Sequence, residues 1–199
     1  LLARAHQVAS EIRIVAGDPG AAAEHSRAAL AHARRLGSAM ESARASNGLA
    51  DALRAQGHRD EARSLYADAA RLYATSGVPW FRAYPLLNQA LVALLDDLPS
   101  EAEPILQELL TTGRPQSLDP SVHLGFVVVA AHHLDWDRFV HHLTEAEPGL
   151  ARHFDADNAR LAELAADLAA RASREDLAAR ARALAAAQWL GVGGRPRAG

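Results

Sequence analysis

The strongest constraint on the fold of this chain is a small residue that recurs at a fixed interval. Ala22, Ala62 and Ala102 are each 40 residues apart, and a turn signal of glycine, proline or aspartate precedes every one. Weaker copies follow at Phe139 and Ala178, after intervals of 37 and 39 residues. A recurrence of roughly 20–50 residues is typical of repeat architectures, in which each supersecondary unit covers the apolar face of its neighbour. The pattern predicts five consecutive copies of one unit.

The second copy, residues 47–73, has the clearest internal pattern. It contains two apolar stripes at helical spacing, and Gly57 separates them at the place where a left-handed C-cap residue is expected. Small and large side chains alternate along the second stripe, which allows two helices to pack closely. We therefore expect a helical hairpin. Its packing residues are Leu49, Ala50, Leu53, Ala62, Tyr66 and Ala69.

Composition favours helices and argues against several classes of function. The chain is rich in alanine, leucine and arginine, all strong helix formers, and only 5% of its residues are aromatic. A net charge of −3 gives no electrostatic basis for binding nucleic acid. No apolar run reaches the roughly 18 residues that a membrane-spanning helix needs, so we expect a cytoplasmic protein without membrane contact. Without cysteine there is no disulfide framework or thiolate metal site.

Proline, glycine and the apolar periodicity together predict an all-α fold. The expected architecture is a right-handed superhelical solenoid of about five helix-turn-helix repeats, forming a single domain over residues 1–190, with a disordered tail at 191–199. The five repeats are predicted at about 1–37, 38–77, 78–115, 116–150 and 151–190. The ten helices are predicted near 2–16, 19–36, 39–56, 59–75, 80–96, 100–112, 119–133, 136–147, 156–172 and 174–189.

Residues 43–76 resemble a tetratricopeptide repeat. The packing residues of the second copy stand where that family places its own, although the family's Trp near Ser46 and its Pro near Ala74 are missing. The copies recur at about 40 residues, whereas the usual unit has 34. The Ala/Arg-rich pattern is also similar to the helical repeat regions of large actinobacterial transcriptional regulators and signalling ATPases. The resemblance implies a non-catalytic module of a larger bacterial regulatory or signalling protein.

The resemblance further implies that the first helix of each pair lines a concave groove that binds a protein or peptide. An asparagine flanked by arginines can hold a peptide backbone or a carboxylate through several donors. The carboxylate-clamp subgroup, however, has Lys and Asn where Asn47 and Asp51 stand, and Asp51 would repel an anionic chain end. A groove that is polar and then apolar suits an amphipathic helix or an extended peptide. The candidate groove residues are Arg44, Asn47, Asp51, Arg54, Tyr84 and Leu87.

Histidine supplies the alternative hypothesis, a regulatory domain that senses a small molecule or a metal. Six of the ten histidines lie between residues 123 and 153. If helices seven and eight are antiparallel, one ring from each of two adjacent pairs could approach the other, with Asp135 or Asp137 completing a zinc or nickel site. No recognised metal-ligand spacing is present, so no metal or other cofactor is predicted, and a pH response is a further possibility. The four weak metal candidates are His132, His133, His141 and His142.

Neither catalysis nor a capped end is indicated. The chain contains no G-x-S-x-G, H-E-x-x-H or P-loop motif, and we expect it not to be an enzyme. The last predicted helix is apolar enough to need cover, which would allow a homo-oligomer to form through uncapped terminal helices. Its apolar residues are Leu177, Leu184, Trp189 and Leu190.

Overall fold

A computed structural model describes residues 1–112 and 114–193, and this part of the chain is helical without a strand. The all-α prediction is confirmed. No helix of the described residues is long and apolar enough to cross a membrane. The ten α-helices there are α1 Leu2–Val15, α2 Pro19–Arg35, α3 Ala39–Ala55, α4 Arg59–Ala74, α5 Ala83–Leu95, α6 Pro99–Thr111, α7 Asp119–His132, α8 Trp136–Leu150, α9 Ala156–Arg171 and α10 Glu175–Gly191. Short 3₁₀ helices at Pro79–Arg82 and Gln116–Leu118 precede α5 and α7.

The chain divides into two compact units, unit 1 (Leu1–Val92) and unit 2 (Ala93–Gly199). The single domain expected over residues 1–190 stays a prediction. Of the tail predicted to be disordered, Gly191 closes α10 and the next two residues form a turn. Residues 194–199 lie outside the described part of the chain.

Five equivalent turns connect the members of the helical pairs. In each turn the residue after the helix C-cap has a left-handed backbone: Gly17, Gly57, Asp97, Leu134 and Ser173 have φ between 56° and 87°. The next residue donates its N–H across the turn to a carbonyl five residues back, which is the Schellman arrangement that satisfies the last carbonyls of a helix. These bonds, all 2.9 Å long, run from Asp18 to Arg13, His58 to Leu53, Leu98 to Ala93, Asp135 to Ala130 and Arg174 to Ala169.

The turns have the period that the sequence predicts. The left-handed residues are separated by 40, 40, 37 and 39 positions, and each lies five residues before a member of the recurring small-residue series. Within the described residues, the backbone therefore repeats as the side chains do. Most helix boundaries agree with the sequence-based ones to within a residue or two.

Two predicted boundaries were wrong by three residues. The first turn before α5 is 3₁₀ rather than α-helical, because Pro85 has no N–H to donate to the carbonyl of Phe81 and so interrupts the α-helical ladder there. Helix α8 was expected to end at residue 147, before Pro148, but continues to Leu150. Pro148 removes one bond to the carbonyl four residues back, yet Ala151 still donates to Glu147 at 3.0 Å, so the helix continues past the proline.

Helix α3 is the centre of unit 1, where it packs against α1, α2 and α4. Small side chains let these helices approach closely, and Tyr66 of α4 is the largest fully buried side chain of this unit. In unit 2, α7 packs against α6, α8 and α9, and α10 packs against α9. Residues 124–131 of α7 are all buried, as expected for a helix that is apolar on every side.

Gly149 allows the end of α8 to meet the start of α7. A Cβ atom placed on Gly149 would lie 2.1 Å from Cγ and 2.9 Å from Cβ of Pro120. The proline ring has little freedom to move away, because its φ is fixed at the first turn of α7. A glycine at this position is therefore required by packing.

We predict that Gly149→Ala destabilises the protein by about 1–3 kcal/mol, the usual cost of overpacking, in urea unfolding followed by circular dichroism. Helix propensity alone predicts the opposite sign, a gain of about 1 kcal/mol. Gly77→Ala is the matched control, since an added Cβ there meets nothing within 4 Å. A Gly149→Ala variant as stable as wild type would contradict the close contact.

Candidate functional site

The predicted groove residues of unit 1 all reach the surface. Arg44, Asn47, Asp51 and Arg54 follow one stripe of α3 and are all partly buried. On α5, Tyr84 is exposed and Leu87 is partly buried. A hydrogen bond of 3.3 Å, from Asn88 Nδ2 to Asp51 Oδ1, joins α5 to α3. We call the surface that these residues form, together with the part of α1 that packs against α3, the α1–α3–α5 face.

Asp51 is the common acceptor of this face. Its Oδ1 accepts from the hydroxyl of Tyr66 at 2.6 Å as well as from Asn88, and its Oδ2 accepts from Asn47 Nδ2 at 3.1 Å. The carboxylate is therefore stabilised by neutral donors from α3, α4 and α5. The sequence suggests that Asp51 repels an anionic ligand. That repulsion is weakened, because the carboxylate oxygens already face protein donors.

Two amide side chains of the face keep an unsatisfied acceptor. Gln7 Oε1 on α1 and Asn47 Oδ1 on α3 are buried and accept no hydrogen bond within the described residues. The two helices are close here, since a Cβ on Gly48 would lie 2.9 Å from Gln7 Nε2. Buried acceptors without a donor are rare and need an explanation, such as a water or a bound group. Gln7 is not among the site residues predicted from the sequence, where its only signal is an amide inside an apolar helix pattern.

Arg44 is oriented by Glu41 of its own helix and by Tyr73 of α4. Glu41 Oε2 lies 3.9 Å from its Nη1, and the other Glu41 oxygen accepts from Arg4 of α1 at 3.1 Å. Its guanidinium lies beside the hydroxyl of Tyr73, whose pKa is raised by burial although Arg44 opposes the shift. Surface pairs of this kind contribute little stability, roughly 0–1 kcal/mol, so their main effect here is to position the side chain.

An aromatic run lies beside the start of α5. Phe81 stacks on Tyr73 and on Tyr84, with ring centroids 5.8 and 5.9 Å apart, and Trp80 is tilted against Phe81 at 6.3 Å. Trp80 is 51% exposed. Of these residues only Tyr84 is predicted from the sequence as a site residue. The signal for the others is the high density of aromatic residues at 80–84. They add a flat apolar surface to the polar stripe of α3.

We predict that Asp51→Ala lowers the free energy of unfolding by about 2–3 kcal/mol, because a buried hydroxyl and two amides lose their acceptor together. Tyr66→Phe should cost less, about 0.5–1.5 kcal/mol, because it removes one donor and keeps the ring. Urea titrations of the two single variants and the double variant measure the coupling. Strictly additive losses would show that the Tyr66–Asp51 bond is not formed.

The candidate metal ligands of unit 2 face different partners. His132 Nε2 lies 3.5 Å from Asp97 Oδ1, His133 Nδ1 lies 4.0 Å from Glu103 Oε2, and His142 Nδ1 lies 2.9 Å from His123 Nδ1. In residues 1–112 and 114–193, no three or more His, Cys, Asp or Glu residues are grouped as metal ligands. The expected approach of one ring from each adjacent pair is not among these contacts.

The register of the α7–α8 hairpin explains this placement. The helices turn at residues 133–135, so His132 is level with Trp136 while His142 is level with Phe126. The rings of Phe126 and His142 stack at 4.8 Å and 15°. His123 lies one turn from Phe126 on the same side of α7 and therefore meets His142. Counting outward from the turn would have identified this pair.

A second histidine pair occupies the equivalent place in unit 1. His6 of α1 and His25 of α2 face each other through their Nδ1 atoms at 3.2 Å. In each pair the two histidines are 19 residues apart. Adding 117 to the residue numbers of the first pair and its turn gives those of the second, so both pairs lie at the same distance from their turns. The same places in the other three hairpins hold Ser46 and Leu65, Leu86 and Ile105, and Ala162 and Ala181.

Burial favours the neutral form of the facing pair His123 and His142. It lowers the pKa of His142 to about 4, with smaller contributions in the same direction from His123, His141 and Arg138. The pKa of His123 is also lowered by burial, although Glu145 and Asp119 oppose the shift. A facing pair can share one proton as an N–H···N hydrogen bond, whereas a second proton would place two cations in contact.

We predict that stability falls as the pH is lowered from about 6.5 towards 4. The unfolded chain takes up protons near pH 6.5 and the folded chain does so only near the lowered pKa, so acid favours unfolding. The slope is at most about 1.4 kcal/mol per pH unit for each proton taken up. His142→Gln should flatten the profile of thermal midpoint against pH. The exposed His153 provides the control His153→Gln, and a wild-type profile that is flat to pH 4.5 would contradict the buried pair.

Among the described residues, each unit contains a cleft of ligand size. The cleft of unit 1 has a volume of about 520 Å³ and lies between α2 and α4, with Leu49 and Leu53 of α3 as its floor. The cleft of unit 2 has a volume of about 470 Å³ and lies where α7 turns into α8 beside the end of α9. Both volumes fall within the usual range for small-molecule sites, but both clefts are open rather than enclosed.

No protein-family model matches the chain, and no curated protein matches its sequence.

Proposed function

We propose that this chain is a tetratricopeptide-like helical-repeat module whose α1–α3–α5 face binds a protein segment. In this proposal the hairpins stack into a right-handed solenoid, and the module belongs to a larger bacterial regulatory or signalling protein. The period shared by the five turns and the small-residue series supports the repeat assignment. The resemblance of residues 43–76 supports the choice of family.

The observation that carries the binding proposal is the pair of unsatisfied amide oxygens on this face. Gln7 Oε1 and Asn47 Oδ1 belong to adjacent helices and accept no hydrogen bond within the described residues. The main-chain N–H groups of an extended segment are suitable donors for two such acceptors. Reaching them requires small rotations of the two side chains, which is a common change at interfaces.

The rest of the face indicates what the segment contains. Arg44 and Arg54 stand at the two ends of the α3 stripe, while Asp51 between them is balanced internally. The exposed aromatic rings of Trp80 and Tyr84 provide an apolar contact next to the stripe. A segment with an acidic residue near an aromatic, leucine or proline side chain fits this order, with the buried aromatic contact contributing most of the affinity.

The proposal is tested by selecting binders from a random 12-residue peptide library on immobilised wild-type protein. We predict that selected peptides lose at least about tenfold in affinity with Arg54→Glu, because an attraction becomes a repulsion, and with Tyr84→Ala, because an apolar contact is lost. Fluorescence anisotropy of labelled peptides gives the dissociation constants, and circular dichroism checks the fold.

Arg34→Glu is the matched control, since Arg34 is an exposed arginine on α2 of the same unit, within the unit 1 cleft. Its effect should be less than about twofold. Peptides that bind the Arg54 and Tyr84 variants as tightly as wild type would remove the proposal, and peptides sensitive only to Arg34→Glu would move the site to the unit 1 cleft.

A further inference from the structure

The cleft of unit 2 is lined by a leucine whose backbone conformation and exposure are both unusual for that residue type. Leu134 lines this cleft with φ at 56° and is 63% exposed. A left-handed backbone conformation destabilises a leucine by roughly 1–2 kcal/mol. Because the Leu134 side chain is mostly exposed, its burial offsets little of this cost. The equivalent places in the other four turns hold glycine, glycine, aspartate and serine. Strained residues of this kind cluster at ligand-binding sites.

The walls around Leu134 are apolar and partly aromatic. Trp136 follows it by two residues at the start of α8, and Leu168 of α9 lies across the cleft. Phe139 fixes the indole from within the core, with ring centroids 5.7 Å apart, and the Arg174 guanidinium lies 5.2 Å from the indole centroid. The indole is therefore held in one orientation while its remaining surface contributes to the cleft. These side chains suit a flat apolar body.

One arginine of the cleft has no hydrogen-bond or ion-pair partner within the described residues. This is Arg171, which is exposed near the end of α9. Arg174, by contrast, is engaged with Trp136 and lies 3.8 Å from Asp176. The third polar group, His132, is neutral at pH 7 because burial lowers its pKa. The cleft thus offers an apolar slot with a single positive charge at its rim.

We propose that this cleft binds a small aromatic carboxylate. The ring system packs between Leu134, Trp136 and Leu168, and the carboxylate pairs with the guanidinium of Arg171. A guanidinium can donate two parallel hydrogen bonds to a carboxylate, which supplies orientation as well as attraction. The inference does not depend on the α1–α3–α5 face, because every residue that carries it belongs to unit 2.

The test compares 2-naphthoate with its neutral counterpart 2-naphthylmethanol, using the full chain in isothermal titration calorimetry at pH 7. Wild type should bind the carboxylate saturably and the alcohol more weakly. Arg171→Gln should weaken carboxylate binding about tenfold and leave the alcohol unchanged, because only the charged contact is lost. Arg152→Gln, which removes another exposed arginine of unit 2, should bind as wild type does.

Leu134→Gly separates a binding role from a structural one. The variant should bind both probes several-fold more weakly, because one apolar wall is removed. Its thermal midpoint should be no lower than that of wild type, since glycine adopts the left-handed backbone without strain. Absence of saturable naphthoate binding at millimolar concentration, equal binding by Arg171→Gln, or a midpoint several degrees lower in Leu134→Gly would each overturn the proposal.

Discussion

The hydrogen bond that closes each turn is the interaction on which the described structure depends most directly. At the five turns within the hairpins an N–H reaches back over a left-handed residue to a carbonyl of the preceding helix at 2.9 Å. This bond ends one helix and fixes the direction in which the next begins. The positions that face each other across a hairpin are then set by counting from the turn. Both histidine pairs, His6 with His25 and His123 with His142, follow from this register.

The turn also explains why most of the fold could be predicted from sequence. The left-handed residue is glycine in two of the five hairpin turns, and an alanine stands five positions later in all but one of them. The period can therefore be recognised even where the helices differ in composition. The helix starts at Pro19, Ala39 and Asp119 were predicted to the residue, since a proline or a capping serine stands at or next to each of them. The continuation of α8 through Pro148 was not predictable, because the bonds around one lost N–H depend on the whole helix.

The candidate site was predictable only in outline. Helical spacing placed Arg44, Asn47, Asp51 and Arg54 on one partly exposed stripe, which the structure bears out as a placement and leaves untested as a binding surface. It could not reveal that Tyr66 and Asn88 donate to Asp51, because these contacts join three helices at separations of 15 and 37 residues. The alternative pairing considered for the histidines of unit 2 has the same limit, since it was drawn from adjacent residues without the register of their hairpin.

The alanine-rich interior has a further consequence for which sequences can keep this structure. Ala22, Ala62 and Ala102 are completely inaccessible, and many other interior positions are alanine as well. Such a core has little side-chain volume to lose, because shortening alanine to glycine changes mainly backbone entropy. It is sensitive to added volume instead, since a valine or leucine at these positions would separate helix axes that are held close by a single methyl group. Divergence of the chain is therefore limited by an upper bound on side-chain size at the helix crossings, while the outer faces can exchange charge and polarity freely.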